Sequence, residues 1–185
     1  MTTLTPRRIA LRPEQLADSA RHHLAARRRV PLGPVAAVVF EDRRTVRFRL
    51  HELADAARRS HLPRVREQLA WYEQLMPTGG RVRAAVWLTV RGRRADDARE
   101  QVEAGRVVLT SSGGHRVEAA PLPGRVAGRL VGLVRWVEFG FNPAERSALA
   151  DERVSWRLSL EADGEVVYAT DVDAEVAASL AADVG

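Results

Sequence analysis

The chain has 185 residues, 45% of them apolar and none of them cysteine: enough to bury a core in one domain, and without the thiol that a disulfide, a thiolate metal site or a cysteine nucleophile needs. No apolar run approaches a membrane span and no apolar leader with a small-residue cleavage site opens the chain, so a cytosolic protein is expected. All 29 basic residues are arginine against 24 acids, a formal charge of +5, and the charge is uneven: residues 1–75 carry 15 Arg and 8 acids, 76–130 carry 10 and 5, and 131–185 carry 4 and 11.

The absence of lysine from helices, strands and loops alike reads as a coding bias rather than the demand of a site. A basic front and an acidic back can complement each other within the fold or leave two faces of opposite sign for partners.

In chain order, Ile9 and Leu11 can pin the polar start to the domain, and Pro13-Glu14 opens a helix containing Leu16, Ala20 and Leu24. His22 and His23 lie in it about 100° apart, which is no metal site by itself. Arg27-Arg28-Arg29 closes the helix where positive charge suits the dipole. Val30–Pro34 is predicted as a turn and Val35–Phe40 as a strand. After a turn at Glu41–Arg44, Thr45, Arg47 and Arg49 alternate with Val46, Phe48 and Leu50, which predicts a second strand paired with the first in a hairpin.

The stretch from His51 to Pro77 is the expected centre of the molecule. Its second half places Leu62, Val65, Leu69, Tyr72 and Met76 on one face of a helix of about four turns, an apolar stripe that needs a sheet to cover. Further strands are predicted at Arg81–Val90, Val107–Thr110, Arg116–Ala119, Leu133–Phe141, Val154–Leu160 and Val166–Thr170. A polar helix falls at Asp96–Glu103, and the Gly/Pro-punctuated stretch 121–132 is a connector. Asn142-Pro143-Ala144-Glu145 starts a short helix with cap, N1 proline and N3 acid. Asp163-Gly164 is a tight turn, and a closing helix runs from about Asp173 to Asp183.

These elements predict an α+β fold, a predominantly antiparallel or mixed β-sheet covered by a long central helix and several short ones. One domain spans 1–185, with a basic part at 1–120 and an acidic part at 133–185 on either side of the connector.

Chemistry-bearing motifs are sparse. His51, Glu52, His61 and Glu67 are the candidate metal ligands, but the Glu-x-x-His spacing of dinuclear carboxylate helices does not occur and local charge pairs account for the acids, so neither metal nor cofactor is expected. Ser111, Ser112 and His115 share one turn without the strand-to-helix elbow of a hydrolase. Gly79-Gly80 follows a helix and precedes a strand, the reverse of a phosphate loop. Arg28, Arg29, Arg47 and Arg49 are the candidate anion or partner surface.

Arg28-Arg29-Val30, Leu32-Gly33-Pro34, Phe40-Glu41, Thr45, Glu52, Arg58, Glu67, Tyr72, Leu75 and Pro77 resemble the N-terminal signature of the bacterial DUF3501 family. Trp136-Val137-x-Phe139 is similar to its C-terminal strand. The resemblance covers nearly the whole chain. The family helix after the hairpin reads Gln-Glu-Met-x-Arg-x-Glu, whereas Asp55 and Ala57 here replace the basic residue and the second acid, which implies an altered or lost site. Family members are often encoded beside rubrerythrin-like and iron–sulfur oxidoreductase proteins, and this implies an accessory role in a redox or oxidative-stress system.

Three functions are weighed. The first is a non-catalytic accessory domain that binds another protein. The second is a small-molecule or metal-dependent enzyme using Glu52, Glu67 and Tyr72 with Arg58. The third is a nucleic-acid binder using the four arginines. A protein partner ranks first and an anionic small ligand second. Nucleic acid ranks last because acids interrupt the arginines, and no membrane is expected.

Overall fold

The computed structural model describes residues 27–46, 76, 78–90, 93–122 and 133–185. Among these, nine strands form two antiparallel sheets and three short helices pack on them, an α+β fold. The first sheet orders β1 (Arg29–Leu32), β2 (Ala36–Phe40), β3 (Arg81–Leu88), β7 (Leu133–Gly140) and β6 (Ala120–Pro121) as β1-β2-β3-β7-β6. The second orders β5 (Arg116–Glu118), β4 (Arg106–Ser111), β8 (Trp156–Ala162) and β9 (Glu165–Val172) as β5-β4-β8-β9.

Only Ala119 separates β5 from β6, so one extended run leaves the second sheet and joins the first, with the Ala119 amide donating to Val107 O at 2.9 Å on the way. At the opposite side β1 packs against β9. There Gly33 takes φ +63 in the β1–β2 turn, and a Cβ on it would overlap the Tyr168 ring. The sheets therefore enclose one apolar core. Val38, Phe40, Val82, Val86 and Phe139 come from the first and Val107, Leu109, Leu158 and Leu160 from the second. Within the first sheet Phe40 meets Phe139 with ring centroids 5.6 Å apart, and Phe141, just past β7, meets Trp156 of the second sheet edge-on at 6.3 Å.

The helices are α1 (Arg93–Ala104), α2 (Pro143–Ala150) and α3 (Ala174–Val184). Val102 of α1, Leu149 of α2 and Val176, Leu180 and Val184 of α3 all enter the core. At α2 the predicted start forms in full: Asn142 accepts from the Glu145 amide at 2.9 Å, and Glu145 accepts from the Asn142 amide at 2.8 Å. Arg135 donates to Glu103 O at 3.3 Å and Gly105 O at 2.7 Å, covering carbonyls at the end of α1, where a helix attracts positive charge.

Three expectations change. Residues 29–32 are a strand rather than a turn: Val30 and Leu32 alternate inward, and Pro31 fits because β1 is an edge strand whose outer side needs no donor. The hairpin expected of residues 45–50 with β2 does not begin at Thr45 and Val46: β1 and β3 occupy both edges of β2, and Asp42 starts a helical turn at 43–46, with 47–50 outside the described residues. The three helices described from end to end have 12, 8 and 11 residues, and none is long and central. The helix expected over 51–77 lies outside the described residues apart from Met76 and the break at Thr78, as do the helix from Pro13 to Leu24 and residues 123–132 of the connector.

Candidate functional site

The described charged residues of low exposure gather largely at one end of the first sheet. Arg28 precedes β1 and accepts the Phe40 amide through its carbonyl at 3.1 Å. Only 4% of its side chain is exposed, and its guanidinium spans Asp42 Oδ2 at 3.3 Å and Asp183 Oδ2 at 2.6 Å. Asp42 has a second task. Its Oδ1 accepts the Thr45 amide at 2.6 Å while Thr45 Oγ1 accepts the Asp42 amide at 2.9 Å, a reciprocal cap on the turn at 43–46.

Asp183 projects from the last turn of α3, where a carboxylate opposes the helix dipole. Burial pushes its carboxyl above the usual aspartate range while Arg28 pulls it back. The guanidinium thus joins the start of β1, the exit of β2 and the end of α3.

On the other face of the same sheet the row beyond the apolar Val39, Ala85 and Trp136 is charged. Glu41 is fully buried, and its amide donates to Arg83 O at 2.8 Å. Arg83 Nη2 pairs with Glu138 Oε2 at 2.9 Å, and Arg81 Nη1 reaches the other oxygen at 2.8 Å. Arg83 also donates to Met76 O. Chain leaving at Val46 and returning at Met76 is therefore anchored at both ends beside these pairs.

A second polar region lies on the other sheet. An open groove of about 260 Å³ is lined by Thr110, Ser111, Ser112, Ser155, Trp156, Arg157 and Asp171. Its serines hold the backbone: Ser111 Oγ accepts the His115 amide at 3.0 Å and Ser112 Oγ accepts the Ser155 amide at 3.1 Å. Arg157 Nε donates to Asp171 Oδ1 at 2.8 Å. Nearby, Arg116 grips Glu161 with two bonds of 2.7 and 2.8 Å, spanning from β5 to β8 across β4. That grip holds the Glu161 carboxyl below its ordinary range.

Of the residues singled out in the sequence, Arg28 and Arg29 are described, and the two part company. Arg29 is exposed at the start of β1, whereas Arg28 is buried and paired, so the two do not form one surface. Arg47, Arg49, His51, Glu52, Arg58, His61, Glu67 and Tyr72 lie outside the described residues. Ser111, Ser112 and His115 share the β4–β5 turn. Sequence reasoning missed the Arg28–Asp183 pair, which joins opposite ends of the chain. Asp42-x-x-Thr45 was a legible capping pattern that marked the turn.

The family described as "Protein of unknown function (DUF3501)" matches residues 11–184. The chain belongs to the DUF3501 family. The residues that carry the resemblance and are described have structural work: Val30, Leu32, Phe40, Val137 and Phe139 are core, Gly33 turns against Tyr168, Arg28 pairs with Asp42 and Asp183, and Thr45 caps Asp42. A crystal structure of a novel protein of unknown function from Burkholderia pseudomallei K96243 is similar to this one, with a TM-score of 0.75, 23% identity and 100% of each chain covered. At that identity the likeness shows the DUF3501 chain's fold. Comparison with curated proteins finds no match.

Proposed function

We propose that this DUF3501 chain is a non-catalytic accessory domain that binds another protein, with a redox or oxidative-stress system as the setting its family resemblance suggests. One observation carries the reading: Val166 and Val167, 60% and 37% exposed, are the exposed large hydrophobics of the described residues, and they adjoin one another on the rim of the second sheet. Adjacent exposed apolar residues on a polar rim favour an interface. The polar groups at the groove, by contrast, are engaged in backbone and cross-strand bonds that build the sheet.

The test is to purify the tagged protein from its own cells and measure both what accompanies it and its metal content. A stoichiometric protein partner is expected, with less than about a tenth of an equivalent of iron, zinc or manganese. A chain that purifies alone with one equivalent of metal, lost on replacing Glu52 or Glu67, overturns the reading.

That second outcome belongs to a metal-dependent enzyme. It draws support from the anchoring of Val46 and Met76, the ends of the stretch carrying Glu52, Glu67 and Tyr72, beside the partly buried charges of Asp42 and Arg83.

A further inference from the structure

We propose that the hairpin end of β9 takes up an extended, arginine- or lysine-rich segment of the partner protein by strand addition; this rests on the protein-binding reading and gives it a place and a partner chemistry. Among the described residues β9 is the edge of its sheet, paired through β8 alone. Such an edge offers main-chain donors and acceptors to an incoming strand.

The register locates the accessible part. Leu160 stands opposite Tyr168 and Glu161 opposite Val166, so Val167 is the extra residue of a bulge. Tyr168 lies against Gly33 and keeps β1 beside the middle of β9, while Glu165, Val166 and Val167 beyond it are exposed.

Charge selects the occupant. Residues 161–175 contain six acids and no arginine. Glu161 is held by Arg116 and Asp171 by Arg157, and Asp163, Glu165, Asp173 and Glu175 are exposed without a cation among the described ion pairs. A second copy of β9 would lay the same carboxylates against these, which like-charge repulsion across strands opposes. A strand alternating basic and apolar residues would instead set its cations among the acids and its apolar side chains against Val166.

The probe is a short synthetic peptide alternating arginine and valine, compared with a twin carrying glutamate for arginine and a twin with proline for valine, which keeps the charge and loses alternate N–H donors. Binding is read by fluorescence anisotropy and by amide hydrogen exchange of the full chain. The basic peptide is expected to bind and to slow exchange over Glu165–Val167, and both twins to bind about tenfold more weakly or worse. Glu165→Lys with Val166→Lys should weaken the basic peptide about tenfold at unchanged melting temperature, since both side chains are exposed.

Equal binding of the proline twin, binding indifferent to the double substitution, or no binding of the basic peptide overturns the proposal. A cellular partner retained by the double variant also overturns it while leaving the protein-binding reading intact. Absence of any cellular partner, with the peptide still bound at β9, overturns that reading instead.

Discussion

Arg28 lies where 4% of its side chain meets solvent, and this is tolerable because two carboxylates meet the charge. Truncating it leaves Asp42 and Asp183 facing each other, so Arg28→Ala is expected to destabilise by about 3–5 kcal/mol at neutral pH. The loss should depend on pH. Asp183 is already raised by burial, and without Arg28 it rises further. An acid raised in the folded state contributes stability at low pH that is lost as pH climbs from the unfolded value through the folded one. The gap between variant and parent in urea denaturation should therefore narrow toward about pH 4, and Asp183→Asn in the variant should remove that narrowing. A gap of constant size would mean that Asp183 is not the group left exposed to the change.

Among the elements, the second sheet is clamped by Arg116 and Glu161, which span from β5 to β8 over Val108, a residue with no exposure. Glu161 is depressed, first by the hydrogen bond from Arg116. Its contribution is therefore present above the ordinary glutamate range and lost as pH falls through the depressed value. Arg116 is 44% exposed, so solvent screening limits the cost of Arg116→Ala to about 1 kcal/mol, and the acid limb of the stability profile should become shallower. An unchanged limb would contradict the clamp.

The β1–β2 turn offers a sharper test. Gly33→Ala combines a left-handed backbone with a clash against the Tyr168 ring, and about 2–4 kcal/mol of destabilisation is expected from the two together. A thermal midpoint equal to that of the parent would show that the β1–β9 contact does not hold there.

Strand positions were legible where apolar and polar residues alternate, as in β8, and where a cap has a sequence form, as at Asn142. β1 was hidden because Pro31 and Gly33-Pro34 read as a turn, and the edge position that accommodates a proline is a property of the sheet. The hairpin expected of residues 45–50 with β2 rested on alternation, but alternation does not say which edges are free, and β1 and β3 occupy both edges of β2. The site was less legible still. Arg28 with Asp183 and Arg116 with Glu161 are pairs 155 and 45 residues apart in sequence, made neighbours by sheet order that the sequence does not spell out.

At the scale of the whole molecule, the basic front and acidic back interleave in the sheets. β7, from the acidic part, pairs with β3, and β8 pairs with β4. Shared sheets and one core should make the described region unfold as a unit. Tryptophan fluorescence and far-ultraviolet circular dichroism are expected to give coincident urea transitions, and two separated midpoints would contradict this. What the interleaving does not consume is the negative charge around β9, and the exposed valines among it are the feature on which protein binding rests.

The most direct measurement is site-specific photocrosslinking in the protein's own cells, with the reactive residue placed at Val166 or, as a control, at the exposed Arg99 of α1. The expected result is one protein adduct of defined mass from Val166 and none from Arg99. No adduct from Val166, or the same adduct from Arg99 alone, would contradict the account.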